Sequence, residues 1–219
     1  MAEGRAWRWA GRGLFDWAAI MEGTLASDGP AKSAVSAAVP WSRYVLFVLA
    51  AAIGLSVDLA TKHYFFAQPA LRAGDIWWLW QGHAGIQLSL NQGALFGMGQ
   101  GKVWIFAAMS CLAAIAIPTW LFGFRAAKDA WLTTALGCVM AGVLGNLYDR
   151  LGLHGEIWSA GGPQAGEAVH AVRDWVLWQV SDQWRWPNFN VADSMLVVGA
   201  SLLFLHAFLQ PPSRKAAAA

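Results

Sequence analysis

Apolar residues gather into four blocks along this chain, separated by stretches with a different rhythm. The first block begins near Arg43, runs through YVLFVLAAAIGLSV and continues as DLATKHYFF. Carried to Phe66, it supplies the ~20 residues a helix needs to cross a bilayer. The second covers Val103 to about Phe124 and is expected to kink near Pro118, which lacks a backbone donor. The third, Ala130 to Tyr148, ends in GVLGNLYDR, and the fourth runs from Val191 to Phe208. Residues 67–102 break the pattern. There Ile86-Gln87-Leu88-Ser89-Leu90-Asn91 alternates with period 2, among Gly and Asn, which predicts short strands and turns. Trp77, Trp78 and Trp80 favour the membrane–water boundary, so this small sheet is expected to rest on the outer leaflet. After the third block, LGLHGEIWSAGGPQAGEAVHA reads as a Gly-rich polar loop, and the chain then turns Trp-rich. The expected fold is membrane α-helical: four transmembrane helices, a small extracytoplasmic β-cradle and a long external loop.

Composition strengthens this picture. Of 219 residues, 57% are hydrophobic and 13% charged, about half the charge of a soluble domain. One compact membrane domain, residues 43–210, is the natural partition. Residues 1–42 are read as a poorly ordered cytoplasmic extension, in which Trp7 to Met21 form a weak amphipathic helix without the apolar core of a signal peptide. Residues 211–219 are read as a cytoplasmic tail. Four spans put both termini on one side. Arg5, Arg8, Arg12, Lys32, Arg43, Arg125, Lys128, Arg214 and Lys215 are nine of the fifteen Lys and Arg, so that side is expected to be cytoplasmic. A formal charge of +2 argues against a nucleic-acid partner. The two cysteines, Cys111 and Cys138, sit inside apolar blocks with no CxxC or His cluster nearby, so neither a metal nor another cofactor is expected. The chain is expected to work as a monomer.

The candidate chemistry lies in charged residues at the edges of the apolar blocks, where an acid needs either a partner or a role. Asp174 and Asp193 bracket a Trp-rich segment just before the fourth block. Two acids brought together there can share one proton, an arrangement that activates water for peptide hydrolysis. Asn190 reads as a helix N-cap, which places Asp193 in the first turn, where the helix dipole favours its ionised form. Asp174, between apolar neighbours, is the acid that protonates more easily if buried. Taken alone, Asp193 reads first as a capping residue and nothing more. Asp58 and Lys62 stand four apart on one helical face, as a self-neutralising pair, a lysine reaching the interface, or a substrate-facing pair. Gly142, Gly145, Asn146 and Asp149 share one stripe of the third helix, and Arg150 shares the face of Asn146. That stripe serves tight helix packing, or Asn146 and Arg150 support a site. Ser194 with His170 lacks the G-x-S-x-G elbow of a serine hydrolase.

Five motifs in order now resemble one family. D-x-x-x-K (Asp58, Lys62), N-x-G-A-x-F-G (Asn91 to Gly97), G-N-x-x-D-R (Gly145 to Arg150), V-x-D (Val172 to Asp174) and F-N-x-A-D-S (Phe189 to Ser194) are similar to those of lipoprotein signal peptidase, or signal peptidase II. The resemblance covers roughly Arg43 to Phe208. It implies an aspartic endopeptidase of the bacterial inner membrane, active at the extracytoplasmic face. Such an enzyme removes the signal peptide of a diacylglyceryl-modified prolipoprotein just before the lipidated cysteine, whose chains stay among membrane lipid. It implies Asp174 and Asp193 as the catalytic pair. Asn91, Gly93, Asn146, Arg150 and Asn190 match positions that line or support the site, and Asp58 and Lys62 match a further polar pair. The family needs no metal, and its fold is a four-helix bundle with a β-cradle and a closing loop. Two departures stand out: Leu151 to Ala171 intervene where the family has only a few residues, and the glycine usual upstream of V-x-D is missing near His170. Trp175 also replaces the usual Phe. The alternative is a proton-coupled small transporter, against which stand the clustering of the acids at one membrane face and the absence of a repeated half.

Overall fold

The computed structural model describes residues 38–93, 99–160, 163–181 and 183–209. Among the described residues, four helices are long and apolar enough to cross a membrane. They are α1 (Trp41–Phe66), α2 (Val103–Pro118, continued as a wider turn through Thr119–Gly123), α3 (Ala130–Arg150) and α4 (Val191–Leu209). Their outer faces carry exposed apolar residues such as Ile53, Leu112, Ile115 and Phe204, a surface that suits lipid and not water. The break near Pro118 falls where the sequence puts it. There the hydroxyl of Thr119 donates back to the Ile115 carbonyl at 2.7 Å.

The central helix is α3, which packs against α1, α2 and α4. Its buried stripe includes Ala135, Gly137, Ala141, Gly142 and Gly145, small residues that let backbones approach. A Cβ on Gly142 would collide with the Ala192 carbonyl of α4, and one on Gly145 with the Asp58 carboxylate of α1. The stripe that groups Gly142, Gly145, Asn146 and Asp149 is thus wholly buried.

Beyond the helix ends lies one antiparallel sheet in the order β1 (Trp77–Trp80), β2 (Ala84–Asn91), β3 (Val172–Ser181) and β4 (Trp184–Phe189). The sequence reading confines the sheet to residues 67–102; the structure instead builds half of it from the Trp-rich stretch before α4. The cause is visible in burial. Leu177 and Gln179 are buried while Trp178 and Val180 are exposed, the period of a strand with one wet or interfacial face. Trp80, Ala84, Trp178 and Trp186 lie side by side across the four strands, and the rings of Trp80 and Trp178 meet edge to face. Ser89 pairs with Asp174 and Asn91 with Val172.

Residues 151–171 also hold more structure than a polar loop. Val169 N donates to Glu156 O and Trp158 N to Glu167 O, closing a short two-stranded arm around the bridge between Ile157 and Ala168. Arg72, at the end of the single helical turn Pro69–Arg72, grips Glu156 through both guanidinium nitrogens at 3.2 and 2.9 Å. The expected amphipathic helix at Trp7 to Met21, the residues Ala94 to Gly97 of the second motif and the C-terminal tail lie outside the described residues.

Since the Ala192 carbonyl cannot retreat without unwinding the start of α4, Gly142→Ala is expected to destabilise the detergent-extracted protein by about 1–3 kcal/mol, read from its unfolding midpoint.

Candidate active site

The start of α4 sets the geometry. Asn190 Oδ1 accepts from Asp193 N at 2.9 Å, and Asp193 Oδ2 accepts from Asn190 N at 3.2 Å, a reciprocal capping pair. A third orphan donor of the same turn, Ala192 N, is taken by Asp58 Oδ1 of α1 at 2.8 Å. Asp193 therefore does cap its helix, as one reading of the sequence has it, yet one of its oxygens is still engaged beyond the cap. Asp193 Oδ1 accepts from Asn146 Nδ2 at 2.8 Å.

Asp174 comes from the opposite direction, on β3, and only 2% of it is exposed. Its Oδ1 accepts from Asn190 Nδ2 at 2.7 Å and its Oδ2 from Asn91 Nδ2 at 3.2 Å. Gly93 N donates to Asn91 Oδ1 at 2.9 Å, which turns the Asn91 amide so that its NH2 faces Asp174. Asn190 Nδ2 also reaches Asn146 Oδ1 at 3.2 Å. The two aspartates are thereby joined through the side chains of Asn190 and Asn146. Burial, and next the negative charge of Asp193, push the Asp174 carboxyl up to about 8, against the opposing pull of the Asn190 and Asn91 amides and of Lys62.

Below this ring lies a group of buried charges. Lys62 is fully buried, 2.8 Å from Asp58 Oδ2 and 3.0 Å from Asp149 Oδ2, and donates to Asn146 Oδ1 at 3.2 Å. Asp149 in turn accepts from Arg173, through Nε at 3.0 Å and the backbone N at 2.9 Å. Asp58 and Lys62 are thus neither a lysine reaching the interface nor a substrate-facing pair; they hold α1 to α3 and α4 from inside. Sequence reasoning left Asp149 and Arg173 out of the site. An arginine next to Asp174 in an apolar strand and an acid next to Arg150 were the available signals.

Two cavities meet at the aspartates. One of about 370 Å³ is lined by Asp193, Asn146, Arg150, Gly93 and Asn91; the other, of about 440 Å³, by Asp174, Ser89 and Asn91. Trp186, Pro187 and Asn188 of β4 border both. Arg150 spans the rim, with its guanidinium over the Phe106 ring and Nη2 3.5 Å from the Gly93 carbonyl. Every residue singled out in the sequence reading as catalytic or lining is accordingly in this region. Ser194 and His170 are not a hydrolase pair, since Ser194 Oγ donates to Asn190 O and His170 Nδ1 lies 3.1 Å from the Arg150 carbonyl. An acid raised from the ordinary value of about 4 makes the folded chain bind a proton more tightly than the unfolded one. Stability contributed at Asp174 is thus complete below about pH 4 and is lost as pH rises through about 8. Asp174→Asn is expected to match wild type in unfolding midpoint near pH 4 and to exceed it increasingly toward pH 8, measured by thermal unfolding in detergent.

The fold agrees with what comparisons find. The family described as signal peptidase (SPase) II matches residues 50–209. The lipoprotein signal peptidase of Rhodopirellula baltica is 49% identical over 173 residues, spanning 78% of this chain and 75% of that protein. That of Rhodococcus jostii is 34% identical over 176 residues, spanning 80% and 79%. A bacterial membrane enzyme solved by the in meso method at 1.9 Å shares the fold, with a TM-score of 0.58 at 23% identity over 75% of this chain and 94% of that one. A match along most of the chain, over residues that include both aspartates, places this protein in the signal peptidase II family.

Proposed function

We propose that this chain is an aspartic endopeptidase that removes the signal peptide from diacylglyceryl-modified prolipoproteins, cutting just before the lipidated cysteine. The observation that carries the reading is the asparagine-bridged pair itself: two carboxyl groups in one hydrogen-bond network, each facing one of two adjoining cavities. Their surroundings support different roles. Asp193, at a helix N-terminus with two donors on its oxygens, is the base that takes a proton from water. Asp174, raised to about 8, keeps its proton at neutral pH and polarises the scissile carbonyl. Water oxygen adds to that carbonyl as its proton passes to Asp193. On collapse the C–N bond breaks, and the Asp174 proton goes to the leaving amine. The product is a free carboxyl on the signal peptide and a free amine on the lipidated cysteine.

Arg150 and Asn91, on the cavity walls, hold the substrate backbone across the pair, while the lipid chains lie between helices in the bilayer. Such anchoring turns lateral diffusion into a fixed approach of the scissile bond. The excess of Lys and Arg at the chain ends and in the Arg125/Lys128 connection supports cytoplasmic termini and an extracytoplasmic site. The enzyme then sits as a multi-pass protein of the bacterial cytoplasmic membrane. It acts as a monomer, with residues 1–42 as an N-terminal cytoplasmic extension and residues 43–210 as the peptidase domain.

Asp174→Asn and Asp193→Asn are each expected to slow cleavage at least ~100-fold while the protein remains folded and extractable. A gel-shift assay with a diacylglyceryl-modified prolipoprotein reads this directly, and ordinary cleavage by either variant would end the assignment.

A further inference from the structure

Asn146 stands where the buried charges meet the aspartates. Its Oδ1 accepts from Lys62 Nζ and from Asn190 Nδ2, both at 3.2 Å, and its Nδ2 donates to Asp193 Oδ1 at 2.8 Å. An ammonium carries three protons and no lone pair, so only the amide oxygen can face Lys62. Because the amide is planar, its NH2 must then face the other way, toward Asp193. Turning it over would set NH2 against an ammonium and a carbonyl oxygen against a carboxylate. We propose that Lys62 is a positioning residue of the peptidase site. By holding the Asn146 amide with its oxygen toward the ammonium, it keeps an N–H donor on Asp193, the carboxylate that receives the proton from water. This rests on the dyad reading and adds the residue that orients the amide partner of Asp193.

Lys62 has no other opening. It is fully buried, and its charge is held by Asp58 from its own helix and by Asp149 of α3, itself bound to Arg173 of β3. The charged groups around Asp193 come from each packed element. Lys62 and Asp58 lie on α1, Asp149 and Arg150 on α3, and Arg173 and Asp174 on β3. Asp58 touches α4 by capping Ala192 N, and Lys62 acts on the carboxylate through one amide. A helix-packing role and an orienting role can therefore be separated. Removing the charges of Asp58 and Lys62 together leaves Asp149 with Arg173 and the cluster neutral. An asparagine at position 58 retains an oxygen for Ala192 N.

The test uses the full chain and a diacylglyceryl-modified prolipoprotein, with kcat and KM measured across pH. The double variant Asp58→Asn/Lys62→Met is expected to fold, to keep KM within two-fold and to lose kcat at least ten-fold. The low-pH side of its kcat/KM profile is expected to move up by one unit or more, since Asn146 Oδ1 is then held by Asn190 Nδ2 alone and its NH2 is less firmly kept on Asp193. Lys62→Arg, which keeps a donor-only cation, is expected to lose less kcat and to leave the profile in place. Three outcomes overturn the proposal: a double variant with an unmoved profile, equal losses in the two variants, or a double variant that does not fold. Asp174→Asn and Asp193→Asn run alongside. If they cleave, the dyad reading itself fails, whereas inactive Asn variants beside an unaltered double variant sink only the role of Lys62.

Discussion

Everything near the site depends on a neutral group of four buried charges, Asp58, Lys62, Asp149 and Arg173. Ions at the edge of a hydrocarbon phase are costly unless each meets an opposite partner, and removing one partner of such a group costs about 3–5 kcal/mol. Here the partners come from three separate elements. Lys62 on α1 meets Asp149 on α3, and Asp149 meets Arg173 on β3. Asp58 adds the fourth element by capping the first turn of α4. The helices, which only lipid-like packing would otherwise hold, are thus pinned at one end in a fixed mutual position. The small residues of α3 allow the approach, and the charges make it specific.

On that base, chemically identical carboxyl groups acquire unequal characters. Asp193 sits in a helix cap with backbone and amide donors around it; Asp174 sits on a strand, shielded from solvent and close to a like charge. The asparagines do most of the arranging. Asn91 is turned by Gly93, Asn190 by its capping exchange with Asp193, and each then presents NH2 to Asp174. A short-side-chain amide is well suited to this, because it donates and accepts without carrying charge.

What could be read from the chain alone follows the range of each interaction. The four blocks, the break at Pro118 and the cap at Asn190 are local patterns, and the structure has them where the residues put them. The joining of β3 to β2 is different, because Ser89 and Asp174 meet across a long separation and nothing local pairs their strands. The alternation in β3 is also masked, since Trp178 and Val180 stand on its exposed face where polar residues would normally mark a strand. Lys62 reads locally against Asp58 of its own helix, whereas Asp149 and Asn146, which also hold it, come from another helix. Arg173 likewise finds its partner, Asp149, far from its own strand in sequence.

Neighbouring residues of β3 point to opposite faces, and here the neighbours are Arg173 and Asp174. One belongs to the foundation, bound to Asp149, and the other to the asparagine-bridged aspartates. A slip of the strand by a single position would aim a guanidinium at the cavities and strand an acid among the helix ends. The irregularities that interrupt its pairing with β2 and β4 therefore guard more than sheet geometry. In this protein the alignment of one ribbon decides whether the chamber holds an acid at all.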